Sequence, residues 1–144
     1  MVAWTASVEK LTGPSSLCLS RQNLPFVPRD AATLGNIAKG GYVISEAKNG
    51  KPKAVIIATG SEVQLALHAQ AELAKVKIAV RVVSMPSTTV FDRQDMAYKL
   101  SVLPRGVPRV AIEAGVTDGW WKYGCAAVVG VDSFGESAPA GVLF

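Results

Sequence analysis

Arg21 stands in Ser20-Arg21-Gln22, directly behind the short apolar run Leu17-Cys18-Leu19. An arginine placed just after a short strand can reach into a cleft and grip a phosphate through two parallel N–H···O bonds. It can equally be a solvated surface charge, and the sequence leaves both readings open. Thr59-Gly60-Ser61 separates a strand-like run from a helix-like one, and free amides at a helix start can cradle an anion. The segment has neither the G-x-G-x-x-G spacing nor the lysine of a phosphate-binding loop, so a capped strand–helix turn is the simpler reading. Glu113 and Asp118 are acids close in sequence, a candidate pair for proton transfer. Ser137, in Glu136-Ser137-Ala138-Pro139, lacks both a G-x-S-x-G frame and a histidine partner and reads as a turn. The single histidine, His68, falls mid-helix beside Gln70 and reads as an ordinary helix residue. Cys18 and Cys125 are far apart, each in an apolar run, with no metal-ligand spacing around them. They are expected to be buried free thiols rather than a disulfide or a zinc site. Trp4, Trp120 and Trp121 fit either packing or an interface.

The elements that must position these groups alternate. Residues 3–9 read as a helix end, broken by Gly13-Pro14, and Ser15 to Ser20 reads as a short strand. A stretch with Pro25 and Pro28 follows and resembles a linker, which predicts that the first ~25 residues belong to a preceding domain. Asp30 is placed to cap a helix to Ala38, ended by Gly40-Gly41. Tyr42 to Glu46 is a candidate strand, and Asn49-Gly50 a tight turn. Lys53 to Ala58 is continuous and β-branched, the pattern of a strand buried on both faces. Glu62 to Lys75 carries Val63, Ala66, Leu67, Gln70 and Ala74 on one helical stripe, with Ser61 and Gln64 at capping-box spacing. Ile78 to Met85 is a second buried strand stopped by Pro86, Asp92 to Leu100 a helix, and Arg109 to Glu113 a third strand. Trp120 to Val129 reads as a helix leading into a strand. This order predicts an α/β domain with a mainly parallel sheet. Its functional groups are expected at the carboxyl ends of the strands.

Composition narrows the function classes. At 144 residues, 49% hydrophobic and 18% charged, the chain has the makings of one packed core. The longest apolar runs, Ala54 to Ala58 and Cys125 to Val131, are far below the roughly 20 residues of a membrane span. The first ten residues lack a basic region followed by an apolar block, so no signal peptide is expected. The formal net charge is +4, densest at Lys48, Lys51 and Lys53, without interleaved aromatics. That favours a solvated surface over a nucleic-acid site. A soluble cytoplasmic protein, binding neither nucleic acid nor membrane, is the expectation.

Several tracts resemble the C-terminal third of transketolases: Leu17-Cys18-Leu19-Ser20-Arg21-Gln22-Asn23-Leu24, Ile57-Ala58-Thr59-Gly60-Ser61-Glu62-Val63, and Val82-Val83-Ser84-Met85-Pro86-Ser87-Thr88. Phe91 to Asp95, Tyr98 to Pro104, Glu113-Ala114-Gly115, Trp121-Lys122-Tyr123 and Phe134 to Ala140 continue the match in order. Residues 117–131 follow it less closely, and the chain stops at Phe144, where family members usually continue into a final helix. The resemblance implies a three-layer α/β/α domain with a mostly parallel five-stranded sheet. It implies that residues 1–28 are the end of the pyrimidine-binding domain plus a linker. Residues 29–144 would then be the transketolase C-terminal domain, lacking its last helix.

Transketolases move a two-carbon ketol unit between sugar phosphates of the pentose phosphate pathway, using thiamine diphosphate and Mg²⁺, as homodimers. The resemblance gives Arg21 the family role of binding the substrate phosphate and places the catalytic groups elsewhere. No Gly-Asp-Gly metal-anchoring motif occurs here, so no catalytic, metal-binding or cofactor-binding residue is expected in this chain. The chain alone is expected to be inactive and to bind no cofactor. Two other readings are a non-catalytic module that stabilises a dimer and a small-anion or nucleotide binder using the Gly60 turn.

Overall fold

Runs of β-branched residues lie at the centre of the molecule. The computed structural model describes residues 1–143. Five strands form one sheet in the order β1-β3-β2-β4-β5: β1 Tyr42–Ser45, β2 Ala54–Ala58, β3 Val80–Ser84, β4 Arg109–Ile112 and β5 Ala127–Val129. Strands β2 to β5 pair in parallel, with Ile56 opposite Val82 on one side and Val110 on the other. Only β1 runs antiparallel, along β3.

Helices cover both faces, because a strand buried on both sides needs an apolar partner on each. On one face α3, Glu62–Lys75, lays Val63 and Ala66 against Ile56, Ala58, Val80 and Val82. On the other face Val55, Ile57, Val83 and Ala111 meet Phe91, Val102, Leu103, Trp120 and Tyr123. Phe91 is 1% exposed, and burying a side chain of that size stabilises the fold by about 2–3 kcal/mol. Tyr98 and Tyr123 both meet its ring edge-on. These residues come from α4 (Thr88–Asp92), α5 (Met96–Val102) with Leu103 just after it, and the 3₁₀ turn Asp118–Tyr123.

The sequence predicts one helix over Asp92 to Leu100; the structure instead has α5 begin at Met96 and a separate short helix, α4, end at Asp92. Ser87 caps α4 by accepting from the Val90 amide, and Asp95 caps α5 by accepting from the Tyr98 amide. Two N-cap side chains in succession start two helices. Asp30 likewise caps α2, Ala31–Ile37, as expected. The capping box at Ser61 does not form. Ser61 has helical backbone angles, and its hydroxyl donates to Glu62 Oε1 instead.

The N-terminal stretch departs from expectation in two places. Helix α1 spans Val2–Glu9, but Ser15 to Ser20 is irregular chain paired with none of the five strands. A strand is held by a neighbour's ladder bonds, and none of the five supplies them to this segment. With no sheet around it, Cys18 is exposed rather than buried. Cys125 is half-buried and both thiols are free. Gly40 joins α2 to β1 at φ +83, and its carbonyl accepts from the Ser87 amide. A Cβ there would lie 2.5 Å from both Phe91 N and Ser87 O, so glycine lets the two segments touch.

Candidate functional site

The strand order fixes where a site can form. From β2 the chain crosses through α3 to β3 on one side; from β4 it crosses through the 3₁₀ turn to β5 on the other. The crevice between the carboxyl ends of β2 and β4 is therefore the switch point, where open α/β sheets hold ligands. Two carboxylates occupy it. Glu113 directly follows β4, and Glu62 lies four residues after the end of β2, in the first turn of α3.

Glu62 is only 7% exposed. Its carboxylate accepts from the Ser61 hydroxyl at 2.8 Å, and its place at the amide end of α3 favours negative charge. Glu113 Oε2 is buried with no hydrogen-bond partner. Burial raises the Glu113 pKa above the usual carboxylate range, and the neighbouring Glu62 charge raises it further. The backbone that carries Glu113 is pinned: its amide donates to Val129 O, and Val131 N donates to Gly115 O. Asp132 closes the same loop by accepting from the Thr117 amide and hydroxyl, at 2.8 and 2.9 Å.

A second feature runs alongside. The chain leaving the N-terminal segment passes the Gly60 turn, where a Cβ on Gly60 would find Ser20 Oγ at 3.7 Å. Beyond it, residues 24–29 close over a cleft of about 480 Å³ at the carboxyl ends of β2 and β3. Tyr42, Gly60, Ser61, Ser84 and Pro86 form its floor. Arg29 fastens the linker by donating from Nε to the Tyr42 hydroxyl and from Nη1 to Val27 O, both at 3.0 Å.

The residues singled out from the sequence separate on this frame. Arg21 is exposed, one residue beyond the Ser20 contact with the Gly60 turn. Glu113 and Asp118 do not act as a pair: Asp118 is exposed at the start of the 3₁₀ turn, and the acid that reaches Glu113 is Glu62. Sequence reasoning missed Glu62, since an acid in a helix's first turn ordinarily faces water. His68 is a surface residue, 78% exposed and 3.9 Å from Glu72. Ser137 sits in exposed irregular chain. Of the tryptophans, Trp120 is buried in the core while Trp4 and Trp121 are exposed. Cys125 donates to Trp120 O at 3.4 Å, and burial raises its thiol pKa, against the opposing pull of Arg109.

Among the described residues no three or more His, Cys, Asp or Glu side chains gather as a metal cage. Mg²⁺ can be held by one or two carboxylates together with phosphate oxygens and water, but burial favours the neutral form of Glu113, and Glu62 already holds the Ser61 hydroxyl. These residues do not fit a magnesium–diphosphate site.

The family model of the transketolase-like TK C-terminal domain matches residues 40–144. The chain belongs to the transketolase family. It is 54% identical to transketolase 2 of Aliivibrio fischeri and 53% identical to transketolase 1 of Escherichia coli, with 99% of the chain aligned in each. It spans 22% of the length of each of those proteins and corresponds to the C-terminal part of a transketolase. Solved structures agree. Leishmania mexicana transketolase superposes over 99% of the chain and 20% of its own length, with TM-score 0.88 and 43% identity. Pichia stipitis transketolase in complex with sedoheptulose-7-phosphate superposes over 94% of the chain and 19% of its own length, with TM-score 0.84 and 40% identity. The five-stranded, mostly parallel sheet expected from the family is the sheet found.

Proposed function

We propose that this chain serves as the C-terminal portion of a transketolase, and that its contact with the reaction is Arg21 on the phosphate of the sugar substrate. One observation carries the reading: Ser20 packs beside the Gly60 turn, so Arg21 emerges exposed where the N-terminal segment meets the sheet's carboxyl edge. A guanidinium there has its fork free for bidentate phosphate binding. Residues 1–28 would be the end of the pyrimidine-binding domain and its linker, and residues 29–144 the C-terminal domain. Thiamine diphosphate supplies the carbanion chemistry when bound. The groups that hold it and its Mg²⁺ would come from the remaining polypeptide of a cytoplasmic homodimer. In that setting this chain binds and orients one end of the substrate, and alone it would not turn over.

The test is made in an intact enzyme carrying this chain as its C-terminal part. Arg21→Ala should raise KM for phosphorylated substrates by about tenfold or more, the loss of a charge-assisted pair worth about 1.5–3 kcal/mol, and leave unphosphorylated substrates nearly unchanged. Equal effects on both substrate classes would remove Arg21 from the phosphate.

A further inference from the structure

Lys48, one of the basic cluster that stood out in the sequence, lines a cavity remote from the switch point. A hollow of about 660 Å³ lies between the second half of α3, the end of β1 and the turn that follows it. That volume is in the range of small-molecule sites. Its floor is apolar, built from Ala71, Ala74, Ile78, Ala79 and Val80. Lys48 and Lys77 stand at its rim.

Three features show that the walls are set in advance. Gln70 spends its whole carboxamide on the frame, accepting from Ser45 Oγ and donating to Val80 O and Glu46 O. Glu46, the one acid lining the hollow, is neutralised by Arg81, which reaches both of its oxygens, at 3.0 and 2.7 Å. Both lysines are therefore uncompensated within the lining, and the hollow is positive over an apolar floor. The third feature is the backbone of Lys77. Helix α3 ends with Ile78 N donating to Leu73 O and Lys77 N donating to Ala74 O, which puts Lys77 at φ +61. That position of the motif ordinarily takes glycine. A lysine there strains the backbone, and it adds a cationic residue to the lining of the hollow. The other non-glycine residue at positive φ among the described residues, Asn49, lines the same cavity, and such strain gathers at ligand sites.

We propose that this hollow is a binding site for a small organic anion, a compact apolar body bearing a phosphate or a carboxylate. The body would rest on the alanine and isoleucine floor while the anion bridges Lys48 and Lys77. The site lies at the opposite end of the sheet from Arg21 and does not depend on the phosphate reading given above.

The full 144-residue chain, labelled with ¹⁵N, would be titrated separately with phenyl phosphate, benzoate and neutral benzyl alcohol. Saturable shifts of the Asn49, Ala74, Lys77 and Ile78 amides are expected with phenyl phosphate, benzoate or both. Which anion binds more tightly identifies the group that is read. Lys48→Gln and Lys77→Gly should each weaken that binding about fivefold, the value of one rim charge in water. Lys77→Gly should also raise thermal stability by relieving the strained backbone, so its loss of binding cannot be a loss of fold. Benzyl alcohol binding as tightly as the anions would overturn the proposal. So would unsaturable shifts scattered over surface lysines, or unchanged affinity in both variants.

Discussion

Replacing Gly40 by alanine tests whether the joint between α2, β1 and α4 is held by close backbone approach or merely by a permissive turn. Gly40 has φ +83, and a Cβ there would sit 2.5 Å from Phe91 N and from Ser87 O. Neither is the movable end of a side chain: Ser87 N also donates to Gly40 O, and Phe91 N donates to Ser87 O. Two costs combine. Left-handed geometry costs an alanine about 1–2 kcal/mol, and forcing atoms into a packed joint adds about 1–3 kcal/mol. Gly50 is the control, because it shares the left-handed backbone (φ +68) but has open space where its Cβ would go. Gly50→Ala should therefore cost only the first part. At about 3 °C per kcal/mol for a chain of this size, Gly40→Ala should lower Tm by about 6–15 °C and Gly50→Ala by about 3–6 °C. Thermal unfolding followed by far-ultraviolet circular dichroism, with urea titrations to check that m is unchanged, measures both. If the two variants lose the same stability, the close approach contributes nothing and the reasoning fails.

Two other perturbations address the switch point and the core beside it. Glu113→Gln should stabilise the protein at neutral and alkaline pH. The raised pKa means that the folded state keeps a proton the unfolded chain gives up. Wild-type stability should therefore fall as pH rises from the ordinary carboxyl value, about 4.3, through the folded value. Urea midpoints across pH 4–8 should fall less steeply in the variant, and parallel profiles would contradict the carboxylate pairing. Arg109→Met removes the guanidinium that donates to Tyr123 O, to Leu103 O at 3.0 Å and to Pro104 O at 2.9 Å. Its loss should cost about 2–4 kcal/mol in chemical unfolding, and a loss below 1 kcal/mol would show those carbonyls reaching water.

What could be read from the residues was whatever local periodicity decides. The continuous run Lys53 to Ala58 became β2 because only a strand buried on both faces tolerates it, and α3 followed its apolar stripe. Two of the failures, the N-terminal strand and Glu62, share a cause: each needed a partner distant in sequence. Leu17-Cys18-Leu19 has strand composition, but a strand exists only beside another, and none of the five sheet strands pairs with it. The split between α4 and α5 was signalled by Ser87 and Asp95, two ordinary cap residues that the helical periodicity obscured. Glu62 gave no signal, because its burial depends on the turn before it and on β4 across the crevice. The role proposed for Arg21 came only from the family resemblance, since an exposed arginine looks the same with or without a ligand.

The carboxylates at the switch point also decide between two readings of the Gly60 turn. An amide cradle for an anion needs the first turn of α3 open and its surroundings neutral or positive. Instead Glu62 fills that turn with its own buried carboxylate, held by Ser61. Glu113 lies close enough for the Glu62 charge to push its pKa up. A phosphate docking on the Thr59-Gly60-Ser61 amides would meet the same repulsion, now with two full charges on the incoming group. The turn is thus a poor anion site, and it would lend no help to Arg21 in the phosphate contact proposed for that residue. Any further contacts to that phosphate would have to come from polypeptide beyond this chain. The carboxylates would have a different effect on the arginine itself: an acidic crevice at the same edge of the sheet favours a guanidinium there before substrate arrives. Glu62→Gln in the intact enzyme should then change the salt dependence of KM for phosphorylated substrates while leaving kcat unaltered.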